Sequence, residues 1–455
     1  TKEKDDKMYN ICNVLNRIGD FCFQIGEKKL ELTGTLIKKK NNNVILEGRT
    51  VKENLKYICE DNNRAFQICG TVSGIEVTLL NCVASVQYIF DNGVAYGSIS
   101  ADPTEIIIGR SSLEDIEVKK ISASIEALNY MFSERLFNEN VHFSKENPSI
   151  LEFAYPKKIE AYDSDGRLCL YRTFQHSWSW DKIEYSFLPN IEYTFSKQVK
   201  IRDAISKLAS VRNLLSFFAD YYLPLENISF ADEQTETIDD CEVFCDCYLH
   251  MNHADSIESL QRPFLIMTDK FSENFSVIWN NWVKFYSDSI YIPTLFFEII
   301  SNRSTRINRF LNLTQAIELY SNYYRQTEAS NAAKADGCNK GEIPLKYRIE
   351  DVLLYLDDCL DLEIETRRRL ATAIGKDRNF FTHYNKQRYN EPSVQEVLAA
   401  NRVLRYVLLS IVYKTIGIES TDVKACNHFE YSTLSRDIEV ILKDKKDVEY
   451  TSWSE

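Results

Sequence analysis

Glycine (14) and proline (9) are scarce among the 455 residues, which argues against a disordered, collagen-like or linker-rich chain. No run of eighteen or more uncharged apolar residues occurs; Lys, Asp or Glu interrupts the longest candidates, so no membrane-spanning helix is expected. The charged start, Thr1 to Lys7, is followed by no signal-type apolar core, and a cytoplasmic location is expected. There is no phosphate loop: Gly93-Val94-Ala95-Tyr96-Gly97 lacks the Lys-Ser/Thr pair and the strand-to-helix setting that would give it meaning.

What is present is ample core material. Apolar residues make up 44% and aromatics 12%, with 26 Tyr and 25 Phe, and the length implies two or three domains. Twelve cysteines are spread irregularly; those in apolar alternating stretches, such as Cys69, Cys82 and Cys169, read as small buried hydrophobes of a reducing compartment. Cys241, Cys245, Cys247, His250 and His253 supply zinc-ligand chemistry. Their spacing lacks a C-x2-C knuckle, however, and 242–250 reads equally as a strand with alternating faces, which is the preferred reading. No cofactor is expected.

The pattern divides the chain. From Leu30 to Ile108 apolar and polar residues alternate with a period of two, punctuated by Gly and Asn. Further strands are expected at 117–124, 157–163, 169–175 and 182–187, with a hairpin turn at Asp165-Gly166. Val199 to Phe218 changes to three- and four-residue steps, a helical insert near 199–219. The expected first domain is therefore antiparallel and β-rich, over 1–270. Helical periodicity then dominates: a bridge over 271–304, a helical bundle over 305–420, and a charged peripheral tail over 421–455. Thr327 to Glu342, small and polar, reads as a loop, and Ser393-Val394-Gln395-Glu396 as a helix-opening capping box. The fold class is α+β.

One stretch carries chemistry. Lys376-Asp377-Arg378-Asn379-Phe380-Phe381-Thr382-His383 sets an arginine, a polar residue and a histidine in a basic neighbourhood. From Arg367 to Arg388 there are seven bases (Arg367, Arg368, Arg369, Lys376, Arg378, Lys386, Arg388) against one acid, while Glu350 to Glu365 holds seven acids and no base. In a chain of net charge −13, such a concentration makes a local anion site, because the overall field repels a polyanion. Imidazole moves protons near neutrality, and guanidinium stays cationic and matches phosphate oxygens. Those groups suffice for RNA cleavage without a metal. Asn379 is placed to orient either partner; Glu318 is either a solvated helix residue or an acidic partner of the pair.

Arg378-Asn379-Phe380-Phe381-Thr382-His383 resembles the R-x4-6-H motif of the HEPN superfamily, many members of which are ribonucleases. The order and spacing of Phe310-Leu311-Asn312-Leu313-Thr314-Gln315-Ala316-Ile317-Glu318, Lys346-Tyr347-Arg348-Ile349 and that motif are similar to the ApeA-like branch. The region around Ile75-Glu76-Val77-Thr78-Leu79-Leu80 looks like the N-terminal domain of that branch. The resemblance implies an abortive-infection ribonuclease triggered by a phage signal, sensed by the N-terminal half. It implies Arg378 and His383 as catalytic, Asn379 as supporting, Glu318 as assisting, and a homodimer. Lys376, Arg367, Arg368, Arg369, Lys386 and Arg388 are the expected RNA-binding bases, with RNA, including tRNA, as substrate. The competing reading is a non-catalytic RNA- or nucleotide-binding sensor using the same patch.

Helix geometry adds a constraint. Residues five apart on an ideal helix lie about 140° apart around its axis, so one straight helix does not aim both side chains at one phosphate. Either the helix ends near His383 or a second copy completes the site across a two-fold axis.

Overall fold

A computed structural model describes residues 11–25, 28–40, 43–51, 53–54, 66–91, 94–112, 114–125, 128, 158–178, 180, 183–232, 237–238, 241–242, 245–249, 269–300, 304–338, 343–384, 390–426 and 428–443. They fall into two compact units. The first takes in the described residues up to 212 and those from 224 to 249; the second takes in 213–223 and those beyond 260.

In the first unit, β1 (Ile18–Ile25), β2 (Lys28–Lys38), β3 (Val44–Val51), β4 (Phe66–Val72), β5 (Ile75–Asp91) and β6 (Val94–Asp102) pair in the order β4-β1-β2-β3-β6-β5. Because β5 pairs back onto β4, the six strands close into a ring and leave no free edge between them. Alternation fills it. Leu30, Leu32 and Leu36 of β2 join Phe21, Phe23, Leu46, Ile68, Leu79 and Ile99 in one buried cluster, while Glu31 and Lys29 stay exposed.

β5 pairs with β4 and β6 within the ring and with β7 beyond it. Residues 77–80 pair with β7 (Glu105–Ile108), and 83–91 pair with β6. The change comes at Asn81, whose φ is +50°, a conformation that Asn tolerates better than most residues. Its amide donates to Thr104 Oγ1 and Glu105 Oε2, each at 3.1 Å. From β7 the sheet runs through β15 (Cys245–Leu249), β12 (Glu226–Ala231), β8 (Glu117–Ser124), β11 (Ile183–Lys200), β10 (Gly166–Trp178) and β9 (Ile159–Tyr162). The Asp165-Gly166 turn joins β9 to β10, with Asp163 Oδ1 accepting from both turn amides at 2.9 and 3.1 Å. A two-stranded hairpin, β13 (Thr237–Ile238) and β14 (Cys241–Glu242), stands apart.

The helical insert is α1 (Ile201–Ala219), and the division between units falls within it. In the second unit, α2 (Asp269–Asp288) and α3 (Tyr291–Ile300) bury Trp279, Trp282, Phe285 and Phe296. Phe296 stacks on Phe217 at 4.2 Å. The expected bridge over 271–304 is thus two helices of the helical unit, parted at Ser289-Ile290.

The bundle proper comprises α4 (Arg306–Tyr324), α5 (Gln326–Ala335), α6 (Leu345–Tyr355), α7 (Asp357–Leu360), α8 (Ile364–His383) and α9 (Val394–Thr415). The most deeply buried of these is α9, with Tyr406, Leu408, Leu409, Ile411 and Tyr413 inside. It opens on a capping box in which Ser393 and Glu396 satisfy each other's backbone amides. The structure corrects two expectations. The stretch read as a loop, Thr327 to Glu342, holds α5 through Ala335, because Ala329 and Ala333 form a buried small-residue stripe at a four-residue step and Ala is the strongest helix former. The stretch read as a peripheral tail contains α10 (Ser420–Cys426) and α11 (His428–Leu442). Ile438 and Ile441 of α11 are buried, and its Asp437 takes both nitrogens of an Arg402 fork at 2.7 and 2.6 Å.

Candidate active site

The site is built on the last turns of α8. Phe380 and Phe381, between Arg378 and His383, are buried at 2% and 7% exposure, and Phe381 packs edge-on against Phe310 of α4 at 5.7 Å. Burial of two aromatic rings is worth several kcal/mol and fixes the azimuth of the turn, so the flanking polar residues are turned outward. Arg378 is half-buried and His383 is exposed. The helix ends at His383: Tyr384 takes the left-handed conformation (φ +48°) and its N–H closes the last turn onto the Phe380 carbonyl at 2.6 Å. His383 is therefore still helical, so the roughly 140° separation from Arg378 applies within one chain.

Glu318, on the margin of the buried face of α4, reaches Arg378: the carboxylate lies 3.8 Å from Nη2, with the two side chains about a third exposed. A pair so exposed contributes little stability, roughly 0.2–1 kcal/mol; its effect is directional. Asn379 Oδ1 accepts from Arg378 Nη1 at 3.5 Å, at the outer limit of a hydrogen bond. Arg378 is thus oriented from two sides without being locked.

The basic patch is narrower than the run of charges implied. Arg367 is 7% exposed and pairs with Asp357, and Arg368 Nε donates to Glu350 at 3.0 Å. The acidic stretch 350–365 thus neutralises its own neighbours. It also engages Arg325 through Asp351 at 2.7 and 2.9 Å, Lys414 through Asp358 at 2.7 Å, and Lys424 through Asp361. Arg369 and Lys376 are half-buried, and Asp377 is buried at 4% exposure, which removes the one acid of the run from the surface. Lys386 and Arg388 lie outside the described residues.

A cation that the sequence reading did not assign stands beside them. Gly375 of α8 is buried where α8 crosses α6, and a Cβ placed there would lie at an ordinary contact distance of 3.8 Å from the Lys346 backbone. Burial first, and then the charge of Lys376, lower the Lys346 ammonium from its ordinary range, against the opposing pull of Asp336 and Glu350. Two ammonium groups sharing a flank of α8 are a signal that sequence spacing does not carry. A cavity of about 670 Å³ adjoins Phe381, with Arg306, Arg309, Val394 and Pro392 among its lining residues.

Cys245 and Cys247 lie on strand β15 and Cys241 on β14, while His250 and His253 lie outside the described residues. No helix among the described residues is long and apolar enough to cross a membrane.

An antiparallel β domain followed by a helical bundle with an Arg–His motif at a helix terminus defines the class. Family comparison agrees: ApeA N-terminal domain 1 matches residues 17–282, and the Apea-like HEPN domain matches residues 311–422. The chain belongs to the ApeA-like HEPN family of anti-phage proteins. HEPN domains are generally ribonucleases, and they typically dimerise and bind RNA. No curated protein and no solved structure matches the chain.

Proposed function

We propose that the chain is a metal-independent endoribonuclease whose site is completed by a second copy across a two-fold axis. His383 of one copy takes the proton of a ribose 2′-hydroxyl, and the 2′-oxygen attacks the adjacent phosphorus. Arg378 of the second copy holds the non-bridging oxygens as charge builds, and the same His383 imidazole, now protonated, gives its proton to the departing 5′-oxygen. The products are a 2′,3′-cyclic phosphate and a 5′-hydroxyl. Asn379 and Glu318 position Arg378; Lys346, Lys376 and Arg369 attract the flanking phosphates. Arg367 and Arg368, already engaged by Asp357 and Glu350, are left out of this set. The observation that carries the reading is the placement of Arg378 and His383 on either side of two buried phenylalanines at the terminus of α8. Transfer RNA is among the candidate substrates, and a phage-derived trigger acting on the β domain is the proposed means of control.

The test is incubation of wild type, Arg378→Ala and His383→Ala with total cellular RNA, reading cut positions and end chemistry. The expected result is cleavage by wild type alone, unaffected by EDTA, leaving cyclic phosphate and 5′-hydroxyl ends. Persistent cutting by His383→Ala rejects the assignment.

A second reading has one observation in its favour. Within a single chain the two side chains leave α8 in different directions, as suits a protein that only grips phosphate. In that case RNA binds with the same salt dependence and no new ends appear.

A further inference from the structure

The ring of β strands carries a pair of thiols that the RNA chemistry does not use. Cys22 of β1 and Cys69 of β4 are direct cross-strand partners, and their sulfurs lie 3.4 Å apart. Directly opposed residues of an antiparallel pair have Cα atoms about 4.5–5.5 Å apart, inside the span that a disulfide bridges. Closing the sulfurs from 3.4 Å to a bond of about 2.05 Å is a side-chain adjustment. The seam is tight next to the pair. Gly70, the residue after Cys69, faces Phe21, and a Cβ on it would lie 2.8 Å from the Phe21 Cα, so only glycine lets the strands approach this closely.

Access is asymmetric. Cys22 is partly exposed and lines an open cavity of about 950 Å³ with Lys29, Arg49, Thr33 and Ser111, whereas Cys69 is 6% exposed. Burial first, and then the neighbouring Cys22, raise the Cys69 thiol; the Ser111 hydroxyl and Lys29 pull it back. A reagent entering the cavity meets Cys22, and the second sulfur waits behind it.

We propose that Cys22 and Cys69 are a reversible dithiol–disulfide site, oxidised through the cavity by a low-molecular-weight disulfide. The Cys22 thiolate attacks one sulfur of the disulfide, forming a mixed disulfide and expelling one thiolate. Cys69, losing its proton, then attacks the Cys22 sulfur and expels the second. Two cysteine thiols are oxidised, one disulfide is reduced to two thiols, and the new bond ties β1 to β4 at the seam of the ring.

The test poises the full chain against a series of reduced-to-oxidised glutathione ratios, quenches with acid, alkylates under denaturing conditions and maps the peptides by mass. The expected result is a linked Cys22–Cys69 peptide, short by two hydrogens, that becomes the dominant form of both residues as the oxidised fraction rises and reverts with dithiothreitol. Cys22→Ser removes the linked peptide and leaves Cys69 alkylated, while the exposed Cys12 reacts in both proteins. Recovery of Cys22 only as its glutathione adduct, or of both residues alkylated at ratios that fully modify Cys12, overturns the proposal. The wild-type map suffices for that decision, so it does not depend on the variant folding.

Discussion

The carboxylate of Glu318 lies 3.8 Å from the guanidinium of Arg378, joining α4 to the terminus of α8 at the site where phosphate is proposed to bind. The contact is too exposed to matter for folding, so its removal reads out on catalysis. Glu318→Gln is expected to lower kcat about tenfold, equivalent to about 1.4 kcal/mol of transition-state alignment, with KM and thermal midpoint little changed. A variant that instead cuts faster shows that Glu318 competes with substrate for Arg378.

Lys346 and Lys376 are proposed to attract RNA without touching the reacting atoms. Lys346→Ala and Lys376→Ala are each expected to weaken RNA binding and to reduce the slope of log K against log salt by about 0.7 per lost single-strand phosphate contact. Binding titrations at several ionic strengths check this. An unchanged slope in both variants removes these lysines from the interface.

Gly375 is an internal helical glycine with ordinary contact distance to Lys346. Gly375→Ala is therefore expected to stabilise the chain by about 0.5–1 kcal/mol through lower unfolded-state freedom, seen as a raised denaturation midpoint. Gly375→Leu is expected to force α6 away and lower the midpoint. A loss of stability in the alanine variant contradicts the packing described for this crossing.

Much of this arrangement was legible in the sequence, for reasons that also explain what was not. The period-two stretches and the Asp165-Gly166 turn announced strands because each signal is local, as were the capping box at Ser393 and the three- and four-residue steps of α1 and α9. The pairing of β4 with β5 is a local hairpin turned at Ser73-Gly74, whereas closure of the ring needs β1 to pair with β4, a long-range contact that no local pattern encodes. The helix α5 was hidden because Ala, Ser and Asn resemble a loop until a neighbour buries Ala329 and Ala333. Arg367 looked like a phosphate ligand because its partner Asp357 lies ten residues earlier, inside a block read only as acidic. The motif itself was readable; the cation beside it, Lys346, depended on a helix crossing at Gly375.

In the β unit, Asp163 gives a pH dependence. Burial alone pushes its carboxyl up, but the Tyr193 hydroxyl, the Asp165 amide and Lys207 together hold it below the ordinary carboxylate range, with Lys207 Nζ at 3.1 Å. A depressed folded-state pKa adds stability above the unfolded value of about 3.9 and loses it as pH falls through the folded value. Asp163→Asn is expected to cost about 2 kcal/mol at neutral pH, with the gap from wild type closing on acidification. Chemical denaturation between neutral pH and pH 3 reports it, and a gap independent of pH contradicts the ionised network.

The central claim, that Arg378 and His383 of two different copies meet on one RNA linkage, is tested most directly by mixing inactive variants. Arg378→Ala and His383→Ala are each expected to be silent alone. After denaturation and refolding together at equal amounts, half the dimers pair one with the other, and each such dimer holds one intact composite site of two. The mixture should then recover about a quarter of the wild-type cleavage rate, as two-fold symmetry requires. A mixture that stays as silent as its components, while native mass spectrometry shows the mixed dimer present, contradicts the account.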